Sequence, residues 1–369
     1  MTSPNLPAVL FVATPRALGG SNRSLVTVLR RLGGRVHRVL AAPADGAFVE
    51  LVEAEGLADE RIVLPRRPQS PVDRLLRLAG GARIAWWAVR NRKRLAAIHA
   101  NALTGLNLST PAALLTRRPV VVWIHDPVGS RWGALLGPAL RFLIPRLQLA
   151  AVSATAEAVA VENRLCRPGT AAIVPNPIDP TEIRGERTRS GAAPLHIGFV
   201  GGATRRKGFD LLPEVVAALA AEPVMWKLYV FLEPSEENAM VWEELRRFPP
   251  GLVDPVGKLA DVRTVYADLD VAFIPSRAES FCRVAAEAMM NGIPVVGSDI
   301  PPLRALLGDD EAGLIFPSED VAAAVAALRK VIGDPELRRR MGAAGLRRVA
   351  AYDPGAITDQ LLGIYGVDG

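Results

Sequence analysis

The chain has 369 residues, half of them hydrophobic and 22% charged, with a net charge of +6. That length exceeds one ordinary core and suits two domains, and that composition excludes a disordered chain. No apolar run approaches the roughly 18 residues that a membrane-spanning helix needs, and Cys166 and Cys282, far apart and without a partner motif, exclude a disulfide framework and a zinc site.

Residues 1–178 carry 23 Lys+Arg against 10 Asp+Glu, whereas residues 179–369 carry 21 against 28. A basic amino-terminal half suits a phosphorylated substrate or an anionic membrane face. Nucleic acid is the weaker expectation, because no zinc-finger or RNA-binding motif is present and aromatic residues are too few for stacking platforms. Genome composition is the alternative reading of so much arginine in an Ala-rich chain. The start, with Pro4 and Pro7 running into a strand, shows no secretory leader, so the cytoplasm is the expected compartment.

In chain order, short apolar runs alternate with helical stretches. The first series covers 8–14, 36–42, 61–65, 96–101, 120–126, 149–153 and 171–175. A second covers 195–201, 225–232, 252–256, 269–276, 293–299 and 312–317. Such alternation predicts an α/β protein whose parallel sheets are built from βαβ units, and two series predict two Rossmann-like domains. The domains are expected at 1–178 and 194–350, with a polar linker at 179–193 (Pro180, Gly185, Gly191) and a last helical segment within 351–369.

The first strand runs into Gly19, Gly20, Ser21 and Asn22. A double glycine there allows close approach of a ligand, although such pairs are also common in turns. Trp86 and Trp87 sit among Arg74, Arg77, Arg83, Arg90, Arg92, Lys93 and Arg94. This segment suits either an anionic membrane surface or a helix packing its Trp pair into the first domain. Residues 132–147, with Arg131, Arg141 and Arg146, pose the same choice. His125 ends a buried strand, as a structural hydrogen-bonder or as a ligand contact.

In the second series, Gly201 and Gly202 precede Arg205, Arg206 and Lys207 at a helix start. Fixed cations there make an anion site, although the segment is neither a Walker loop nor a GxGxxG fingerprint; a basic turn is the other reading. Asp268 and Asp270 look like a metal-binding Asp-x-Asp, but Asp270 opens a strand and further ligands are missing. His37, His99 and His196 show no ligand spacing. Glu279 follows a strand and Glu287 lies eight positions on, about two turns into a helix. Two such carboxylates can face a ligand at the carboxyl edge of a parallel sheet and accept hydrogen bonds from ribose or sugar hydroxyls. A solvated helix start is the alternative.

Pro275, Ser276, Glu279, Phe281, Glu287, Ala288, Gly292, Pro294, Val295 and Val296 together resemble the Glu-x7-Glu signature of the retaining nucleotide-sugar glycosyltransferases of the GT-B fold, glycosyltransferase family 4. The resemblance covers nearly the whole chain. It implies two Rossmann-like domains facing each other across a cleft, with a terminal helix packing back on the first. Lys207, with Arg205 or Arg206, would grip the donor diphosphate beside Gly201 and Gly202. Glu279 would hold sugar hydroxyls and Glu287 the ribose, with Ser280, Phe281 and Cys282 lining the donor. His125 would contact donor sugar or phosphate, and Gly19–Asn22 would lie near the acceptor. Ser153 and Asn176–Asp179 match scaffold positions, with Pro177 where the family has Gly. The family's Gly at Cys282, its Arg at Gly202 and a frequent Glu at Arg304 are departures.

The resemblance implies transfer of a hexose-type sugar from a UDP- or GDP-linked donor to an acceptor hydroxyl, with retention and without a metal or other cofactor. The acceptor is open, a lipid-linked one among the options, and the enzyme is expected in the cytoplasm, peripherally on the inner membrane face. Those departures motivate a rival reading, a non-catalytic nucleotide-sugar binding protein with a degenerate site. A two-domain dehydrogenase is disfavoured by the missing GxGxxG.

Overall fold

The computed structural model describes residues 6–65, 71–125, 131–186, 194–202, 204–220, 226–231, 239–257 and 261–367. Two compact units divide the chain: Met1–Pro177 joined by Tyr352–Gly369, and Ile178–Ala351.

The first unit holds seven strands: β1 (Ala8–Val12), β2 (His37–Pro43), β3 (Glu60–Leu64), β4 (Leu95–Asn101), β5 (Val120–Ile124), β6 (Leu147–Ala151) and β7 (Ala172–Ile173). They form one parallel sheet in the order β3-β2-β1-β4-β5-β6-β7. Every residue of β1 and β5 is buried, because helices cover both faces of such a sheet. The order reverses between β1 and β4, which places the carboxyl ends of Val12 and Ala100 side by side. In open α/β sheets this reversal is where ligands bind.

The second unit holds β8 (Leu195–Val200), β9 (Trp226–Phe231), β10 (Val253–Pro255), β11 (Val271–Ile274), β12 (Val295–Ser298) and β13 (Gly313–Phe316), in the order β10-β9-β8-β11-β12-β13, again parallel. Its core includes Phe199, Phe209 and Trp242, with ring centroids 5.7 and 5.5 Å apart in succession. The reversal here lies between β8 and β11, so the loops after these two strands meet.

All thirteen apolar runs contain strands, with ends displaced by one or two residues in either direction, as element boundaries usually are; Met225 and Leu232 lie outside the described residues. The segment 179–193, read as a linker, differs over its described part. Asp179 caps a helix Pro180–Ile183, its Oδ1 accepting from the Thr181 N–H at 2.9 Å. Asn291 Nδ2 donates to the Ile183 carbonyl at 3.2 Å and the Gly185 N–H donates to Asn291 Oδ1 at 3.3 Å. Local capping therefore gives this polar stretch structure and fastens it to the second unit. The terminal helix Pro354–Tyr365 packs against helix Gly20–Arg31 of the first unit, with the Tyr365 hydroxyl 2.7 Å from His99 Nδ1.

Candidate functional site

The second unit's site grows from two loops at the β8/β11 reversal. After β8 comes Gly201, with φ of 149°, then Gly202 and a short helical turn Arg205–Lys207. Gly208 closes that turn in the left-handed region, with φ of 73°, and a Cβ there would overlap the Pro275 carbonyl oxygen. Only glycine lets the two loops come this close. Two hydrogen bonds of 2.8 Å stitch them further: the Arg277 N–H to the Arg206 carbonyl, and Arg206 Nη1 to the Ala278 carbonyl. Arg277 also pairs with Asp210 at 2.6 Å and with Glu319 at 2.7 Å.

Glu279 is buried in this junction. Its Oε1 takes a short charge-assisted contact from Lys207 Nζ and a hydrogen bond of 2.9 Å from Ser276 Oγ. Its Oε2 lies 3.5 Å from Arg206 Nη1. Lys207 and Glu279, read from sequence as separate contacts to phosphate and sugar, are thus partners of each other. Arg205 is exposed at the head of the same turn.

Glu287, on helix Arg283–Met290, has a different environment. Tyr266 donates its hydroxyl to Oε2 at 2.8 Å, and Arg283 Nε donates to Oε1 at 2.8 Å. The Tyr266 phenol is pushed well above its ordinary pKa, first by burial and then by the Glu287 charge, so it stays a donor. Sequence reasoning missed both partners. Arg283 could have been found from its i,i+4 spacing to Glu287; Tyr266 could not, because only the fold brings it near.

Cys282 stands between these carboxylates, buried, with φ of 66° and ψ of 63°. It keeps the left-handed backbone that the family's glycine would adopt without strain. Burial first, and then the charge of Glu279, pushes its thiol up to about 12, which leaves it neutral and unreactive. Phe281 is buried beside it and Ser280 is half-buried. Asp270 lies at the other end of β11, its Oδ2 accepting from the His196 N–H at 2.9 Å. It ties β11 to β8 at the amino edge, away from Glu279. Among the described residues, no group of three or more His, Cys, Asp or Glu is arranged to hold a metal. Arg304 pairs with Asp299 at 2.6 Å on the surface.

In the first unit, β1 leads to Gly19, extended at φ of −77°, and to helix Gly20–Arg31. Ser21 is half-buried, but Asn22 is fully buried. Asn22 Nδ2 donates to the carbonyls of Pro15 and Ala17 at 3.1 and 2.8 Å, and its Oδ1 accepts from Asn101 Nδ2 at 3.2 Å. With its polar atoms committed to the turn, Asn22 shapes the glycine loop rather than offering itself to an acceptor. Asn101, at the end of β4, is a supporting residue that residue type and spacing alone do not single out. His125 follows β5 at the same carboxyl edge, its ring 4.6 Å from that of Trp123; Asp126 lies outside the described residues. Ser153 caps helix Ala154–Glu162, and Asn176 accepts from Ser24 Oγ at 2.8 Å, both scaffold positions.

Two Rossmann-like units, the second bringing a basic glycine loop and a Glu-x7-Glu segment together at its sheet reversal, have the architecture of a GT-B glycosyltransferase. The family model for Glycosyltransferase Family 4 matches residues 18–182 and that for Glycosyl transferases group 1 matches residues 186–348, and the chain belongs to this family of GT-B glycosyltransferases. It is similar to the phosphatidyl-myo-inositol mannosyltransferase of Mycobacterium leprae, 39% identical over 116 residues, or 31% of this chain and 30% of that one. It is also similar to the D-inositol 3-phosphate glycosyltransferase of Corynebacterium diphtheriae, 30% identical over 185 residues, or 47% of this chain and 43% of that one. The matches thus span less than half the length of these relatives. Among solved structures, Anabaena HepE in complex with UDP and glucose superposes with a TM-score of 0.81 at 19% identity, covering 97% of this chain and 98% of that one. Sucrose-phosphate synthase of Thermosynechococcus elongatus gives 0.75 at 19%, covering 98% of both.

Proposed function

We propose that the protein transfers a hexose-type sugar from a UDP- or GDP-linked donor to an acceptor hydroxyl, with retention of anomeric configuration and without a metal. The observation that carries this reading is the Arg206–Lys207–Glu279 cluster at the β8/β11 reversal, within the family's own signature. The loop offers a cation where a diphosphate would sit, and a buried carboxylate where sugar hydroxyls would sit.

The pairing of Lys207 with Glu279 gives the site a sequence of events. An arriving diphosphate competes for Lys207 and Arg206, which can turn their charge to it. That releases Glu279 to accept hydrogen bonds from the sugar. When the bond to the anomeric carbon breaks, charge grows on the leaving phosphate, and Lys207 and Arg206 stabilise it there. Glu287, held from behind by Tyr266 and Arg283, would present its remaining lone pairs to the ribose. His125 and the Gly19–Gly20 turn would meet the sugar and the acceptor. The inositol-type substrates named for the similar mannosyl- and glycosyltransferases make inositol phosphates and phosphatidylinositol the first acceptors to try, with peripheral membrane association fitting the second.

The test is release of free nucleoside diphosphate from UDP-glucose, UDP-N-acetylglucosamine and GDP-mannose, each with and without these acceptors, and NMR of the product's anomeric centre. An α-linked product from an α-linked donor supports the reading. Inversion, or no release with any pair despite donor binding, would overturn it. Turnover should persist in EDTA; abolition by chelation with rescue by Mg²⁺ or Mn²⁺ would remove Lys207 and Arg206 as the source of charge stabilisation.

A further inference from the structure

At the amino edge of the first unit's sheet, three helix ends come together. The turns at 91–94, 117–119 and 144–146 follow helices Pro71–Arg90, Leu103–Thr116 and Arg131–Leu143, and lead into β4, β5 and β6. Because the sheet is parallel, all three turns lie on one side. They enclose an open groove of about 760 Å³ lined by Arg92, Arg117, Arg118 and Arg146, with Leu114 and Leu143 among its apolar walls.

Among the described residues, nothing compensates the charge of this groove. Arg92 Nε donates to the Thr116 carbonyl at 3.2 Å, and Arg118 Nη2 to the Arg92 carbonyl at 2.6 Å. These bonds lock two turns together but neutralise nothing, and among the described residues no carboxylate pairs with any of the four arginines. In sequence, 12 Lys and Arg lie between Asp73 and Glu157, with Asp126 as the single acid. Arg117 also occupies a left-handed position, φ of 54°, where Gly or Asn is usual at a helix end.

The rim is apolar and open to solvent. Phe142 is 85% exposed, Leu115 61% and Trp86 64%, with Leu114, Leu143 and Val89 close to half. These are six of the nine large exposed hydrophobics among the described residues, all near the C-terminal ends of the three helices that lead into the groove's turns, with Leu114 and Leu143 lining the groove itself. The Arg90 guanidinium lies 5.3 Å from the Trp86 ring centroid. Trp87 points the other way, buried, with Nε1 donating to Glu60, so the tandem tryptophans divide between core and surface.

We infer that this face docks on an anionic phospholipid bilayer, the arginine groove taking a lipid phosphate and Phe142, Leu115 and Trp86 entering between the headgroups. A soluble phosphate would satisfy the arginines and leave the apolar rim in water, whereas an anionic bilayer satisfies both. The groove lies at the sheet edge opposite the Gly19–Gly20 turn and His125. Docking therefore holds the protein at the membrane without occupying its glycine loop, and it does not depend on the donor-site reading.

Sedimentation with vesicles of phosphatidylcholine, with and without phosphatidylglycerol, tests it. The protein should bind only the anionic vesicles, tightly at low salt and more weakly as NaCl rises. At about 1 kcal/mol, or ~5-fold, per arginine near an anionic surface, R117S/R118S/R146S should weaken binding on the order of a hundredfold. F142S/L115S should weaken it further in high salt, where charge is screened. R246S/R247S, on exposed arginines of the second unit, should change nothing, and nucleotide binding should be intact in every variant. No binding of unaltered protein to anionic vesicles at low salt would overturn the inference. So would equal loss in R246S/R247S, or displacement from the vesicles by inorganic phosphate at the same ionic strength as NaCl that leaves them bound.

Discussion

Lys207 and Glu279 are more informative as a pair than as two motif positions. Both are largely shielded from water, at 17% and 8% side-chain exposure, so removing one leaves the other's charge poorly solvated. Lys207→Met should cost about 3 kcal/mol of stability, as for other broken buried pairs. Lys207→Met/Glu279→Gln should recover most of that in denaturant melts while remaining inactive. Simple additivity of the two single changes would show that they are not coupled. Cys282 permits a gentler experiment. A non-glycine residue in the left-handed region is strained by roughly 1–2 kcal/mol, and glycine's greater unfolded-chain entropy offsets about 0.5–1 kcal/mol of the relief. Cys282→Gly should therefore be neutral to slightly stabilising in thermal melts, and Cys282→Val clearly destabilising. In the native protein Cys166 should react with a thiol reagent well before Cys282. At this scale the sequence showed Glu279, Glu287 and the basic loop, because their chemistry is written in residue type and spacing. It did not show that Lys207 answers Glu279, nor that Tyr266 answers Glu287 across 21 positions.

The elements were legible for a related reason. Strands buried on both faces of a parallel sheet read as continuous apolar runs, so β1, β5, β8 and β11 are visible without any alignment. Strand order is not visible, since periodicity carries no information about which strand a neighbour will be. The capped helix Pro180–Ile183 was hidden in a polar stretch for the same reason that polar residues cap helices: Asp179 serves a local backbone donor. The terminal helix contributes a pH dependence of its own. His99 is fully buried against Tyr365, and burial lowers its pKa from 6.5 to about 3. The native state thus holds His99 neutral, while the unfolded chain binds a proton near pH 6.5. Stability supplied by the neutral form is present above pH 6.5 and falls as pH drops towards 3, by up to about 1.4 kcal/mol per pH unit. Denaturant melts from pH 7 to 4 should show this slope, and His99→Phe should flatten it relative to the unaltered protein. An unchanged slope would assign the acid sensitivity to carboxylates instead.

At the scale of the whole molecule, each unit has its own parallel sheet and its own core, and the chain passes between them at Pro177/Ile178 and again at Ala351/Tyr352. The two series of apolar runs foretold two domains, whereas the return of the terminal helix to the first was an expectation of the family resemblance and not of the runs. This division separates the chemistry. The basic loop with Arg206 and Lys207 and both signature carboxylates lie in Ile178–Ala351, and the glycine turn, His125 and the arginine groove lie in the other unit. A nucleoside diphosphate held by Arg206 and Lys207 should therefore protect one unit selectively. At a hundred times its dissociation constant, UDP or GDP should stabilise the second unit by about 2.7 kcal/mol. Hydrogen exchange should show slower opening of β8, β11 and helix Arg283–Met290. The slowest amides of β1, β4 and β5 should keep their rates. Protection spread equally over both sheets would mean that the nucleotide is gripped as firmly by the first unit, and Lys207 would lose its place as the principal diphosphate contact.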